Sequence, residues 1–272
     1  MKDSRLIVSR DNPLFKSLRL LADDPRRDGL ALADGIHLVA TCLARGAAVS
    51  KLLVSESGQR KPEITALLQA AAGIDCILLR DSLFREISGV STPTGIAAVV
   101  EIPHASQGVP AGDAVLLDAV QDAGNVGTIL RIAAAAGVPE VILGPGCAGA
   151  WTARVLRAAQ GAHFSLAIRE HADLPALMAA SHARSIATVA RDGANLYDID
   201  LAGPNFWLLG NEGAGLSSAL IAAAKARITI PLASGTESLN VAAAAAVCLF
   251  EARRQRQIAS RSTDSDSNRR QE

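Results

Sequence analysis

Aromatic residues are scarce in this chain, at 3% of its 272 residues, although 49% of the residues are apolar. A chain of this length can form one large or two modest domains, whose cores must consist mainly of Leu, Val, Ile and Ala. Net charge is also absent, because 27 basic residues balance 27 acidic ones. This balance argues against a highly basic nucleic-acid coat protein, but it allows local basic patches.

Paired cysteines and long apolar runs are missing as well. The four cysteines are scattered without paired spacing, which is typical of reduced thiols in a cytosolic protein and not of a disulfide or zinc framework. The N-terminus has no signal-peptide apolar core. The longest apolar run, Val241–Phe250, has half of the roughly 20 residues needed to span a bilayer. We therefore expect a soluble, cytoplasmic protein without a metal site or membrane contact.

Predicted strands and helices alternate along the chain. Residues 1–103 predict a small α/β domain, and a linker rich in proline and glycine follows at 104–112. A second α/β unit is predicted over 113–258. Its predicted strands are Ala114–Val120, Val141–Leu143, Ser185–Ala190, Phe206–Leu209 and Ile228–Pro231. This alternation predicts a mostly parallel sheet with helices on both faces, and polar residues over 259–272 predict a disordered tail.

Three segments at predicted strand-to-helix junctions are rich in glycine, asparagine and charged residues. They are Asn125–Arg131, Leu209–Leu216 and Ile230–Val241. In the first, Asn125 is predicted to cap a helix that runs to Gly137, and Arg131 is predicted to lean back over the glycines toward the helix N-terminus. A cation above such a groove is typical of an anion or sugar–phosphate site.

Each segment alone also has a plain structural explanation. Arg131 could be a surface residue of an amphipathic helix, Asn211–Gly215 an ordinary turn, and Ser238 a helix cap. All three occur in this order at strand ends of one unit. Loops at the carboxyl ends of parallel strands are where small ligands bind, so the combination favours a ligand site.

Together these segments resemble the SpoU (TrmH-like) family of RNA ribose 2′-O-methyltransferases, over Ala114–Gln257. Leu32–Val39 and Thr94–Val100 resemble that family's appended RNA-binding domain, which is similar to ribosomal protein L30e. Asp34 stands where the family usually has glutamate, and Ala31 replaces a common aromatic residue. The resemblance implies S-adenosylmethionine as methyl donor, RNA as partner, a homodimer formed through the C-terminal domain, and a trefoil knot in that domain, which general topology rules would not predict.

The resemblance also implies which residues form the site. Backbone groups of Gly210, Ile230 and Leu239 would hold the adenosine, with Leu209 and Leu232 as apolar walls. The methyl-transfer site would be lined by Asn125, Arg131, Glu212, Ser238 and Asn240.

Arg131 has two candidate roles. Family proposals make this arginine the general base, yet a guanidinium has a pKa above about 12 and is effectively never deprotonated in proteins. We favour a cation that binds RNA phosphate and stabilises the developing 2′-oxyanion. The proton would then pass to phosphate, water or Glu212.

The leading hypothesis is methylation of a ribose 2′-hydroxyl in structured RNA. We prefer 23S rRNA because a ribosomal-protein-like domain suits large structured RNA, and transfer RNA is the alternative. A non-catalytic RNA-binding or ribosome-assembly protein is a second class, against which the intact polar residues of the three segments argue. A Rossmann-type nucleotide enzyme would need Gly-x-Gly-x-x-Gly after its first strand, which the chain lacks. Arg154 and Arg157 either contact RNA or form a solvated face.

Overall fold

A computed structural model of the protein describes residues 6–24, 27–105 and 107–268. The described residues up to His104, together with Gly149–Ser165, form one compact unit, called here the N-terminal unit. The remaining described residues form the C-terminal unit. The sequence prediction placed Gly149–Ser165 in the second domain.

The N-terminal unit contains one mixed four-stranded sheet. Its strands are β1 (Leu30–Asp34), β2 (Val49–Ser55), β3 (Asp75–Leu79) and β4 (Ile96–Glu101), in the order β1-β4-β2-β3. Strands β2 and β3 are parallel, and β4 runs antiparallel to both of its neighbours. The helices are α1 (Pro13–Asp23), α2 (Ile36–Ala44), α3 (Pro62–Ala70) and α4 (Asp81–Ile87). Phe15 of α1 and Phe84 of α4 are buried in the same core.

The C-terminal unit contains a seven-stranded sheet in which every adjacent pair is parallel. The strands are β5 (Ala114–Leu117), β6 (Glu140–Leu143), β7 (Ala167–Arg169), β8 (Arg184–Thr188), β9 (Ala194–Asn195), β10 (Asn205–Leu209) and β11 (Ala226–Thr229). Their order is β7-β6-β5-β10-β8-β11-β9. The predicted α/β class with a mostly parallel sheet is confirmed. The trefoil knot and the likeness to L30e stay predictions.

Five further α-helices follow in the described part of the chain. They are α5 (Ala123–Ala136), α6 (Ala153–Ala159), α7 (Leu174–Ala180), α8 (Ser218–Ala223) and α9 (Val241–Asn268). Helix α6 belongs to the N-terminal unit, where it packs against β1. None of the described helices is long and apolar enough to cross a membrane.

Strands β5 and β10 form the centre of the larger sheet and are buried along their whole length. A strand that is covered on both faces of its sheet consists of consecutive apolar residues, and Phe206-Trp207-Leu208-Leu209 is such a run. Because all strands point the same way, their carboxyl ends share one edge of the sheet. The predicted site segments therefore meet at that edge.

Helix α9 is fastened to the opposite edge of this sheet. Arg256 forms an ion pair with the buried carboxylate of Asp113, just before β5, and also donates to the Gly203 carbonyl oxygen at 2.9 Å. Asp113 in turn accepts from the backbone N–H of Asn205, the first residue of β10, at 2.7 Å. Helix α9 continues to Asn268, so it overlaps the disordered tail that was predicted over 259–272, and residues 269–272 lie outside the described residues.

One histidine of the N-terminal unit is almost completely buried. His163 is 1% exposed and its ring lies 4.9 Å from that of Trp151, centroid to centroid. Its Nε2 is 2.7 Å from the Ala150 carbonyl oxygen, so Nε2 must carry the proton, and Nδ1 has no partner among the described residues. Burial lowers the pKa of His163 from 6.5 to about 4, and the bond to the Ala150 carbonyl only partly opposes this shift.

This lowered pKa predicts a pH-dependent stability. Below pH 6.5 the unfolded chain binds a proton that the folded chain does not accept until about pH 4, so folding stability falls as the pH falls through this window. The total loss is on the order of 3 kcal/mol. Urea unfolding of the wild type and of His163→Gln between pH 8 and pH 4 measures it. We expect the two stabilities to converge as the pH falls, and parallel curves would contradict the prediction.

Candidate active site

A cleft of about 600 Å³ opens where β10, β8 and β11 end. These strands are neighbours in the sheet, although β10 lies after β8 in the chain. Eight of the ten predicted site residues line the cleft: Leu209, Gly210, Glu212, Ile230, Leu232, Ser238, Leu239 and Asn240. The fold thus brings the second and third predicted segments together around one space of a size suited to a nucleoside.

Helix α5 begins before the residue that was predicted to cap it. Asp122 is the N-cap, since its Oδ1 accepts from the backbone N–H of Asn125 at 2.8 Å. The prediction that Asn125 caps the helix was therefore wrong, because Asp122, three residues earlier, already provides the capping acceptor. The helix ends at Gly137 in the left-handed conformation, with φ of 81°, as predicted. Asn125 lies inside the first turn, and its amide is left for other contacts.

A chain of side-chain hydrogen bonds joins the three segments. Asn240 Nδ2 donates to Asn125 Oδ1 at 2.9 Å, and Asn125 Nδ2 donates to Glu212 Oε1 at 3.0 Å. The direction of the chain is fixed at its start, because Asn240 Oδ1 already accepts from two backbone N–H groups in the first turn of α9. Each amide has therefore only one orientation that satisfies its partners. The chain ends on a carboxylate, which can only accept when it is ionised.

Glu212 is held as an anion by this arrangement. Its carboxylate also accepts from the backbone N–H groups of Gln121 and Asp122, at 3.3 and 3.2 Å. Partial burial raises the pKa of Glu212, but the bonds from the Asn125 amide and from nearby backbone N–H groups outweigh it, and the pKa lies below its usual value. A carboxylate with a lowered pKa and several donors is a weak proton acceptor.

The loop after β10 is tightly folded. Asn211 and Gly215 exchange two backbone hydrogen bonds, and Asn211 Oδ1 accepts from the backbone N–H groups of Gly213 and Ala214, both at 2.9 Å. Its Nδ2 donates to the Ala119 carbonyl oxygen after β5. A Cβ atom at Gly210 would lie 2.3 Å from backbone atoms of the turn, so only glycine fits there.

Several features of the cleft fit an adenosine. Ile230 and Leu239 lie outside strand and helix, and no hydrogen bond within the described part of the chain engages their backbone groups. Their N–H and C=O groups are thus available to a base or ribose. Leu209 is buried behind the cleft, whereas Leu239 is 39% exposed and offers an apolar surface.

The side chains of Arg131 and Ser238 are exposed and unpaired in the described part of the chain. Both are exposed, and neither makes a hydrogen bond or ion pair with any residue that the structure describes. Ser238 lines the cleft, whereas Arg131, two turns into α5, does not. Gly127, the glycine of this segment over which Arg131 was predicted to lean, is buried. The two side chains are free to bind a substrate.

Two groups of cleft residues were missed by sequence reasoning. Residues Thr188–Asp192 follow β8, and Arg227 lies in β11. No local motif marks them. Only the strand order, which places β8 between β10 and β11, brings them to the cleft.

A metal site or a reactive thiol near the cleft would provide a further kind of chemistry. Within the described ranges no group of three or more His, Cys, Asp or Glu side chains could hold a metal ion. Cys147 donates to the Leu117 carbonyl oxygen at 3.3 Å, and burial raises its pKa to about 11. At neutral pH it is a thiol and a poor nucleophile.

The N-terminal unit holds the two arginines predicted after Trp151. Arg154 is exposed and Arg157 is half-buried, and whether they contact RNA stays a prediction. Asp34, at the end of β1, accepts from Ser88 Oγ at 2.5 Å, and its other carboxylate oxygen is buried without a hydrogen-bond partner among the described residues. Burial raises the pKa of Asp34, although the bond from Ser88 and the nearby Arg157 guanidinium oppose the shift. Asp34 thus anchors the loop that leads to β4.

Comparison with known proteins identifies two family matches. Residues 113–250 match the SpoU rRNA methylase family, and residues 12–98 match the MRM3-like substrate-binding domain. The first match covers about half of the chain and contains all ten predicted site residues.

Relatives of similar length include RNA-modifying enzymes. The chain is 34% identical to the 23S rRNA (guanosine(2553)-2′-O)-methyltransferase RlmP of Bacillus subtilis, over 82% of this chain and 88% of the relative. It is 33% identical to an uncharacterized tRNA/rRNA methyltransferase of Synechocystis sp., over 95% and 97% of the two chains. The AdoMet-bound rRNA methyltransferase of Sinorhizobium meliloti superposes with a TM-score of 0.79 at 28% identity, covering 92% of this chain and 97% of that one.

Proposed function

The chain belongs to the SpoU rRNA methylase family, and from this premise we propose that it transfers the methyl group of S-adenosylmethionine to a ribose 2′-hydroxyl of 23S rRNA. The observation that carries the proposal is the hydrogen-bonded chain from Asn240 through Asn125 to Glu212 beside the cofactor cleft. A protein that only bound RNA would have no need to fix two amides and a carboxylate in this way.

S-adenosylmethionine supplies a sulfonium methyl group that is already electrophilic. The protein must therefore align the acceptor hydroxyl with that methyl and accommodate the loss of its proton. Gly210, Ile230 and Leu239 would hold the adenosine through their backbone, between the apolar side chains of Leu209 and Leu232. Ser238 and Asn240 border the cleft where the acceptor ribose would lie.

Glu212 is poorly suited to be the general base. Its lowered pKa and its three hydrogen-bonded donors favour a structural role, in which it orients the Asn125 amide. The proton would then leave to an RNA phosphate or to water. Arg131, a permanent cation without a partner among the described residues, would bind the phosphate and stabilise the developing 2′-oxyanion.

The preference for 23S rRNA over transfer RNA rests on the relatives. RlmP of Bacillus subtilis carries the name of a 23S rRNA 2′-O-methyltransferase, as does a relative from Streptomyces viridochromogenes with 28% identity over 93% of this chain. The N-terminal match to a substrate-binding domain supports a large structured RNA. A homodimer through the C-terminal unit is also part of the proposal, and Phe250 of α9, 46% exposed, is an apolar side chain available for such an interface.

Incorporation of labelled methyl groups tests the proposal. The donor is S-adenosylmethionine, and the acceptors are separated 16S, 23S and transfer RNA from cells that lack this protein. We expect label in 23S rRNA with the wild type and little or none with Arg131→Ala.

Other outcomes of this assay would change the proposed substrate or overturn the proposal. Label only in transfer RNA would replace the substrate. If no RNA is labelled, the assay is repeated on isolated ribosomal subunits. Tight RNA binding without methyl transfer on subunits would identify a binding protein and overturn the proposal.

A further inference from the structure

Two arginines in the cofactor cleft have no partner of their own. Arg191 follows β8 and Arg227 lies in β11, and both line the cleft and are exposed. Among the residues that the structure describes, neither makes a hydrogen bond or an ion pair. A guanidinium without an acidic partner in a ligand cleft is available to bind an anion.

The loop that carries Arg191 is held in place on both sides. The backbone N–H of Val189 donates to the Ile228 carbonyl oxygen at 2.9 Å, and the backbone N–H of Gly193 donates to Thr229 Oγ1 at 3.1 Å. Ile228 and Thr229 are consecutive residues of β11. Both ends of the segment between the two bonds, Ala190–Asp192, are therefore attached to β11 at the cleft.

The backbone of this segment is also strained. Asp192 has φ of 61°, a left-handed conformation that non-glycine residues rarely adopt. Gly193 follows, and a Cβ atom there would lie 2.5 Å from the carbonyl carbon of Ile228. Strain of this kind persists where the surrounding structure imposes it, and it is often found at ligand sites.

The other charges of the cleft show what the arginines can bind. The remaining charged residues of the lining are Asp192 and Glu212. Glu212 is already engaged by Asn125 and by backbone N–H groups. The side of the cleft formed by β8 and β11 thus carries two uncommitted cations and one uncommitted carboxylate, which suits a ligand end with an anionic group and an ammonium group.

We propose that Arg191 and Arg227 bind the α-carboxylate of the methionine end of S-adenosylmethionine. This inference rests on the proposed function only through its cofactor. A guanidinium matches the planar fork of a carboxylate with two parallel N–H donors. Such binding fixes the amino-acid end of the cofactor and so helps to hold its methyl group in one place.

A comparison of two ligands isolates this contact. S-adenosylhomocysteine carries the amino-acid end, and 5′-methylthioadenosine has the same adenosine and a thioether but lacks it. Calorimetry measures Kd for both ligands with the wild type, Arg191→Gln and Arg227→Gln. We expect each variant to bind S-adenosylhomocysteine about 10- to 100-fold more weakly, as for a lost charge-assisted hydrogen bond, and 5′-methylthioadenosine unchanged.

The matched control is Arg85→Gln, which removes an exposed cation of the N-terminal unit outside the cleft lining and should leave both affinities unchanged. Equal weakening of both ligands by the cleft variants would mean that the arginines support the shape of the cleft, and it would overturn the inference. Unchanged ligand affinities with weaker RNA binding would overturn it in favour of an RNA contact. The calorimetry uses no RNA, so failure of methyl transfer to RNA would leave its result standing.

Discussion

Replacing Arg131 by alanine is expected to slow single-turnover methyl transfer by about 100- to 1,000-fold, the usual cost of removing one group that stabilises an oxyanion. The reason is that Arg131 is exposed on α5 and makes no hydrogen bond or ion pair with any described residue. All of its N–H donors can therefore bind the RNA. Because it does not line the cleft, the affinity for S-adenosylhomocysteine should not change. Single-turnover rates at saturating RNA, together with calorimetry, measure both effects.

Arg131→Lys separates the two roles of this residue. If Arg131 acts as a cation, lysine keeps part of the rate, since it keeps the charge but loses the two-pronged contact to phosphate. The pH–rate profile should then keep its shape. If the residue is the general base, the lysine variant should show a new ionisation near the pKa of a lysine, at about 10. Such a new ionisation would refute the electrostatic role.

Gly210→Ala should abolish measurable cofactor binding, with a loss of at least about 100-fold in affinity, equivalent to about 3 kcal/mol. The added Cβ atom would lie 2.3 Å from the carbonyl carbon of Gly215 and the nitrogen of Leu216. Backbone cannot yield as a flexible side chain can, so the whole turn must move, and this turn lines the cleft. Calorimetry with S-adenosylhomocysteine measures the loss.

Gly213→Ala is the matched control for this prediction. It makes the same chemical change three residues further along the same loop. Its Cβ atom would meet only Asn211 Oδ1, at 3.6 Å, which is an ordinary contact. We expect near wild-type affinity, and a loss as large as that of Gly210→Ala would show that the loop tolerates no alanine for a reason other than the steric clash.

Local sequence patterns were sufficient to predict most of the elements. Strand β10 was predicted at Phe206–Leu209 and is observed at Asn205–Leu209, because a short apolar run follows Pro204 and Asn205. Strands β7 and β9 were missed since they have only three and two residues, too few to show a period. The cap of α5 was misplaced because Asp122 and Asn125 are both good cap residues, and only the observed hydrogen bond decides between them.

The composition of the cleft could be predicted only in part. The segments rich in glycine and asparagine could be recognised in the sequence, because the tight turns that they form favour those two residue types. Arg191 and Arg227 were not, because they enter the cleft through the order of the strands, which depends on packing between distant parts of the chain. The contact between Asn240 and Asn125 could not be predicted either, since in the sequence each residue resembles an ordinary helix cap.

The wide separation in sequence of these contacts has a consequence for biosynthesis. Asn125 and Asn240 are 115 residues apart, and Asp113 and Arg256 are 143 apart. Domains form from the N-terminus as a chain leaves the ribosome, and contacts between distant residues form late and slowly. A nascent chain stalled before α9 emerges would lack both contacts. The hydrogen-bonded chain of the cleft and the ion pair of Asp113 therefore cannot form until Asn240 and Arg256 have been synthesised.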